Sequence, residues 1–321
     1  FFFVFRKKRS SPRADPSGAM LPPFARPEMY GSLHAKDPVA NAVLKKRHLN
    51  LVAVFANLAL PWAAFALVFW ALSFHLRFQS PYLACFCAFV LLATAAGSGV
   101  MAWQWSERHP RTAHWYHYFA IAVVISVSAA SILGCANYEY NMRTAYQLES
   151  DLKFYKDVNV GQAKGQQLMD AGLVTFSKGT GLDFRKTMGF KDGDTYCVAP
   201  ITNGDANLPV YDFWAVGVNC CSSIKADFRC GQYKSSNARA GMRLLSAEER
   251  PHYRLAVQAA EAAYGIRAAH PLFFEWVEDP VEELAEQRSR GFQFYIFCLM
   301  MHFGFSVVGV LGSIFSLANS T

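Results

Sequence analysis

Residues 194–231 read DTYCVAPITNGDANLPVYDFWAVGVNCCSSIKADFRCG and carry Cys197, Cys220, Cys221 and Cys230, half of the eight cysteines in the chain. Two short runs rich in β-branched and aromatic residues, Thr195–Ile201 and Tyr211–Val218, flank an Asn203-Gly204-Asp205 turn, the pattern of strands joined by a polar loop. Adjacent cysteines can bond to each other only through a strained ring. One of Cys220 and Cys221 is therefore expected to pair with Cys197 and the other with Cys230, with the choice left open. Each bridge would contribute roughly 2–4 kcal/mol to an element with little core of its own. A four-cysteine zinc site would lack any C-x-x-C pair, and a redox-active Cys220-Cys221 pair is the sharper alternative.

On both sides of this stretch lie long apolar segments: Leu49–Phe74, Tyr82–Trp103, Trp115–Ala136 and Phe292–Leu317. Each has about twenty or more residues with almost no charge, enough to cross a hydrocarbon core of ~30 Å as a helix. The composition agrees. Only 17% of residues are charged and 53% are hydrophobic, too few charges for an ordinary soluble chain and too many for helices alone. The expected architecture is a four-helix transmembrane bundle with a disulfide-stapled α+β domain between spans three and four. Its boundaries are a basic tail over 1–44, three spans over 45–136, the large domain over 137–291 and the last span over 292–321.

Charge sets the orientation. Residues 1–49 hold ten Lys/Arg against three Asp/Glu, whereas 137–291 hold 18 against 20. The high pI thus belongs to one end and gives no basic face for a nucleic acid. Lys36, Lys45, Lys46 and Arg47 precede the first span, and Arg108 and Arg111 lie between the second and third. Only Arg77 faces them from the short first loop. By the positive-inside rule both termini are cytosolic and the large domain is extracellular or lumenal, where disulfides persist. The Pro-, Arg- and Ser-rich start predicts disorder, with Met20 or Met29 expected as the natural first residue.

Within the large domain, Asn137 to about Val158 reads as a helical continuation of span three. Residues 172–233 alternate Gly-rich turns with strand-like runs. Ser246–Glu249 makes a capping box that opens an Ala-rich helix to about Ala269, with Leu255, Ala259, Ala262 and Ala263 on one face. An acidic stretch, Trp276–Arg290, leads into span four. The β part is expected to be small.

Polar groups inside the spans are few. His302 lies about ten residues from the outer end of span four, roughly 15 Å deep. An intramembrane histidine is a functional hypothesis by default; its alternative is an interhelical hydrogen bond to a Ser, to Asn57 or to a carbonyl. A haem would need a second histidine at the same depth, which neither His75 nor His117 supplies, and no cofactor is expected. Gly97, Gly99, Gly134, Gly304, Gly309 and Gly312 allow close helix approach. Asn57, four residues before Pro61, can reach a neighbouring helix. Asp192, Asp194, Asp205, Asp212 and Glu248 sit with His252 and His270 in the large domain, the Asp residues in turns that their side chains cap. No Ser-His-Asp spacing, P-loop, dinucleotide fingerprint or HExxH is present, so catalysis has no support.

Four spans, a short first loop and a large loop with Cys220-Cys221 resemble the tetraspanins, as do Asn57 in the first span and the helical continuation of the third. The likeness covers 45–321 in topology, although the third residue of the pair's motif is Ser222 rather than glycine, and Cys197 precedes the pair. It implies a non-enzymatic membrane organiser with other membrane proteins, or a second copy, as partners. The phrases YCVAPI, DFWAVGVNCC and FRCG also resemble membrane proteins of dinoflagellate type, a likeness that implies no activity. The alternative function is a transporter or channel component with His302 and Asn57 in a polar path.

Overall fold

Twenty-three apolar residues, Leu51–Ser73, form the first helix (α1) of the computed structural model, which describes residues 51–106, 110–204, 208–222 and 225–319. The tail over 1–44, the basic run before α1, Arg108, His109 and Asp205 lie outside the described residues. A short helix, α2 (His75–Gln79), turns the chain, and Ser80 with Pro81 starts α3 (Pro81–Trp105), proline standing where the first helical turn lacks a partner anyway. Helix α4 (Pro110–Asn137) passes through a π-helical turn, Tyr138–Met142, into α5 (Arg143–Ser150). Eight strands follow: β1 (Lys153–Val158), β2 (Ala171–Phe176), β3 (Gly181–Leu182), β4 (Met188–Asp192), β5 (Asp194–Thr202), β6 (Phe213–Val218), β7 (Ala240–Arg243) and β8 (Leu272–Val277). Helix α6 (Arg250–Tyr264) lies between β7 and β8, and the 40-residue α7 (Pro280–Asn319) ends the described chain.

Among the described residues four helices are long and apolar enough to cross a membrane: α1, α3, α4 with its continuation, and α7. Helices α1 and α4 form the central pair; α3 packs on both, and α7 packs on both from elsewhere. Phe65, Val68, Phe69 and Leu72 of α1 meet Val123, Val127 and Ala130 of α4 in the buried core of the bundle. Small residues make that approach possible. A Cβ on Gly134 would stand 3.0 Å from Leu72 Cβ, and the Ser73 hydroxyl donates to the Gly134 carbonyl at 3.3 Å.

The sheet runs β1-β2-β7-β8-β6-β5-β3, with β4 also pairing on β5. Strand pairs β1–β2 and β6–β8 are parallel and the others antiparallel. Side chains alternate strictly between its faces. On β8, Phe273 joins the core under α6 and Val277 the core under α5 and α7, while Leu272, Phe274 and Trp276 point to the other face. One face is thus covered by helices. The other is covered by the loops 159–170 and 219–239, whose Val160, Leu168, Phe228, Cys230 and Ala238 are buried against it.

Three expectations are corrected. The helix after span three stops at Ser150, and residues 153–158 are captured as an edge strand beside β2. No Gly or Pro marks that stop, because pairing with β2 rather than local propensity makes it. Helix α6 ends at Tyr264, where Gly265 adopts φ +63 and closes it. Its sheet face is Tyr253, Ala256, Val257 and Ala260, whereas Leu255 is exposed. Both stripes have helical spacing, and the large Tyr253 ring, edge-on to Tyr196 at 5.3 Å, decides between them. The β element is also larger than expected, a sheet of eight strands.

The sheet domain meets the bundle where α7 crosses the π turn. Asn137 Nδ2 donates to the Gly291 carbonyl at 3.1 Å, and a Cβ on Gly291 would lie 2.6 Å from Met142 Sδ. Gly291→Leu is expected to lower stability by about 1–3 kcal/mol through overpacking, read as a lower unfolding midpoint in detergent. Gly304→Leu, where a Cβ meets nothing within 4 Å, is expected to leave the midpoint unchanged.

Candidate functional site

Asn219 ends β6 with φ +57, a left-handed conformation that asparagine tolerates better than most side chains. Its side chain ties the turn to β5: Oδ1 accepts from Thr195 N at 2.9 Å and Nδ2 donates to Asp194 Oδ1 at 2.8 Å. The next two residues are the cysteine pair. Cys221 bonds Cys197, 24 residues earlier, and Cys220 bonds Cys230, ten residues later. The open pairing is thereby resolved.

The two bridges lie side by side. Cys197 on β5 stands opposite Gly217 on β6, and a Cβ on Gly217 would fall 2.7 Å from Cys220 Sγ and 2.8 Å from Cys230 Sγ. Only a residue without a side chain leaves room for the sulfurs there. Cys197 and Cys230 are buried, and Cys220 and Cys221 are half-buried against the same core. The sulfurs of Cys197, Cys220 and Cys230 lie within 4.8 Å of one another, the spacing of a metal-binding group. Each is already consumed in a bridge, so the donor set fits stapling of the loop rather than a zinc ion. Beyond the staple, Gly231 turns with φ +57 and Gln232 N donates to the Trp276 carbonyl at 2.9 Å, fastening the loop to β8.

Asp212 is the second node of this domain. Its buried carboxylate accepts from Gly165 N at 2.8 Å and from Ala269 N and His270 N at 2.9 Å each. Three loops thus share one anion, a structural use of the turn aspartates expected from sequence. His252 lies elsewhere, with Nδ1 3.5 Å from Asp192 Oδ2 and its ring stacked on Tyr196 at 4.5 Å. The acidic and histidine residues are therefore spread over separate structural ties. Arg243 stands over the Phe274 ring, its guanidinium carbon 5.6 Å from the centre; burial, with Arg250 nearby, lowers it to about 10, so it stays a cation at neutral pH.

Between the helices, polar groups form a ladder along α7. Starting at the sheet end, Asn137 donates to Gly291 O, Tyr295 Oη to Ala66 O at 3.3 Å, and Trp62 Nε1 to Leu299 O at 3.2 Å. His302 comes next: Nε2 is 3.0 Å from Ser126 Oγ, Nδ1 is 3.4 Å from Ser306 Oγ, and the ring stacks on Phe65 at 4.1 Å. His114 Nε2, 2.9 Å from Ser313 Oγ, makes the last rung. His302 is thus held by a serine on α4, as its structural alternative required. Asn57 is buried but bonds its own helix, donating to Ala53 O at 2.8 Å rather than across to another, and its Oδ1 has no partner among the described residues. His302 and Asn57 are fixed by different partners.

The six glycines divide. Gly134 and Gly309 are packed closely, the latter with Tyr118 Oη 2.7 Å from an added Cβ, and Gly99 makes ordinary contact with Ala120. Gly97, Gly304 and Gly312 face open space. Sequence reading missed Gly217 and the rungs at Trp62, Asn137 and Ser313. A glycine three residues before a Cys-Cys pair was a readable signal; a serine or tryptophan in an apolar helix was not, because its partner is far away in sequence. Compared with known family models, curated proteins and solved structures, the chain matches none of them.

Gly217→Ala is expected to prevent the Cys220–Cys230 bridge from closing while Cys197–Cys221 still forms; non-reducing peptide mapping would show one bridge instead of two. His302→Leu removes one interhelical hydrogen bond and should cost about 1 kcal/mol. The measurement is the unfolding midpoint, with helix content unchanged by circular dichroism.

Proposed function

We propose that the chain is a multi-pass membrane organiser without catalytic activity, which docks other membrane proteins on its stapled sheet domain and along its helix faces. Both termini would lie in the cytosol and the domain outside or in a lumen. The observation that carries this reading is the rigid presentation of the domain: two neighbouring bridges lock its loop face, and two helices running from the bundle lock its other face. The topology shared with tetraspanins supports it, and so do the basic residues Lys36, Lys45, Lys46 and Arg47 before the first span. The ladder along α7 supports a packed pedestal more than a conduit, since the half-buried His302 is bonded on both ring nitrogens.

Native protein extracted in mild detergent is expected to carry a different membrane protein in fixed stoichiometry, identified by mass spectrometry and lost when the bridges are reduced. Extraction without any second protein species, under conditions that preserve both bridges, would overturn the reading.

A further inference from the structure

The turn Gly231–Ser235 separates two hollows of opposite charge. On one side a groove of about 430 Å³ is lined by Phe184, Phe228, Arg229, Tyr233 and Lys234, with Asp227. Phe184, Arg229 and Lys234 are exposed, as are Arg185 and Lys225, the sequence neighbours of groove residues. None of these four cations is in an ion pair among the described residues. Asp227 is occupied, accepting from Ser222 N at 2.7 Å.

On the other side a wider cleft of about 1140 Å³ is lined by Glu278, Asp279, Glu282, Glu283 and Glu286, with Lys178 and Arg239. The five carboxylates follow one another at the end of β8 and along the first turns of α7. Gln232 and Ser235 belong to this cleft, Tyr233 and Lys234 to the groove, so one five-residue turn is a wall of both. Ser235 Oγ donates to Glu278 Oε2 at 2.7 Å, which fixes that wall to the acidic strand end.

We infer that this turn is the centre of a two-fold interface between two copies of the chain, each seating its Glu278–Glu286 segment in the cationic, aromatic-walled groove of the other. Patches of opposite charge lying side by side are self-complementary under a two-fold rotation, because the operation that brings groove to acid brings acid to groove. A closed symmetric pair of copies inserted the same way in one membrane has its two-fold axis along the membrane normal, and that axis sets the two turns at equal height. Arginine and aromatic side chains suit the centre of such a contact, and the charges steer its approach. The inference takes from the proposed function the role of the domain as a docking module and names one partner for it.

The test uses full-length protein in detergent, with mass measured by analytical ultracentrifugation as salt is raised. Wild type is expected to be a dimer at low salt and a monomer at high salt. Arg229→Glu/Lys234→Glu and Glu282→Lys/Glu286→Lys are each expected to lose the dimer, with both bridges intact by peptide mapping. Mixing the two charge-reversed proteins should restore a dimer containing one of each, an outcome that misfolding cannot produce. Monomeric wild type at all salt concentrations, dimers that survive both reversals, or a mixture that stays monomeric would each overturn the interface. Saturable binding of an acidic peptide or sulfated polysaccharide to a monomeric wild type would assign the groove to another partner and overturn it too. A different membrane protein retained by a monomer would leave the organiser reading standing while this interface falls.

Discussion

Everything above and below it depends on the crossing of two helices at Gly291. Helix α7 meets the π turn there, and the approach is close enough that an added methyl group would strike Met142 Sδ. The extra residue of a π turn bulges the helix outward; here the bulge is filled by the glycine and tied by Asn137, whose Nδ2 reaches the Gly291 carbonyl. Asn141 Nδ2 donates in turn to Asn137 Oδ1 at 2.9 Å, so the amide that holds α7 is itself held in orientation. The chain thus enters and leaves the sheet domain through one buttressed point. An aromatic cluster widens it: His75 and Phe78 of the first loop pack on Tyr146 of α5, while Arg288 of α7 covers the same ring and pairs with Glu149.

From that point the two faces of the sheet have different problems and different solutions. The face turned to α5, α6 and α7 is buried by helices, and its core is ordinary apolar packing around Trp214, Tyr253 and Met242. The opposite face has no α-helix among the described residues. It is covered by loops, which pay a conformational entropy that a few side chains such as Phe228 cannot repay alone. The disulfides act where that deficit lies. Both close loops on this face, and the Cys220–Cys230 bridge lies in the space left by Gly217, so the absence of one side chain permits that covalent tie.

This division explains what was legible in the sequence. Apolar length alone marked the four helices, because a hydrocarbon core imposes a length on any helix that crosses it. The cysteine spacing marked the staple and its two possible pairings, and geometry had to choose Cys221 for Cys197. Strand β1 was hidden because Lys153–Val158 follows a helical pattern without a break, and only β2 makes it a strand. The sheet-facing stripe of α6 was hidden because an alanine-rich helix offers two equivalent stripes. The ladder on α7 was hidden for a third reason: Trp62 and Leu299 are 237 residues apart, and no local pattern reports such a pair.

Helix α7 joins these parts physically. At 1.5 Å per residue its 40 residues extend about 60 Å, roughly twice the hydrocarbon thickness. The first dozen residues are acidic and serve the sheet, with Leu284 buried under β7 and β8. The remainder is apolar and serves the bundle, with a rung to α1 or α4 at Gly291, Tyr295, Leu299, His302 and Ser313. Because the helix is continuous through Gly291, a tilt at one end cannot be absorbed before it reaches the other. The polar rungs resist sliding as well as tilt, since each hydrogen bond fixes the axial register of α7 against a neighbour. Packing of apolar side chains alone would not do so, for lipid tails compete with them on equal terms. The sheet domain is therefore held at a fixed height and angle on its bundle.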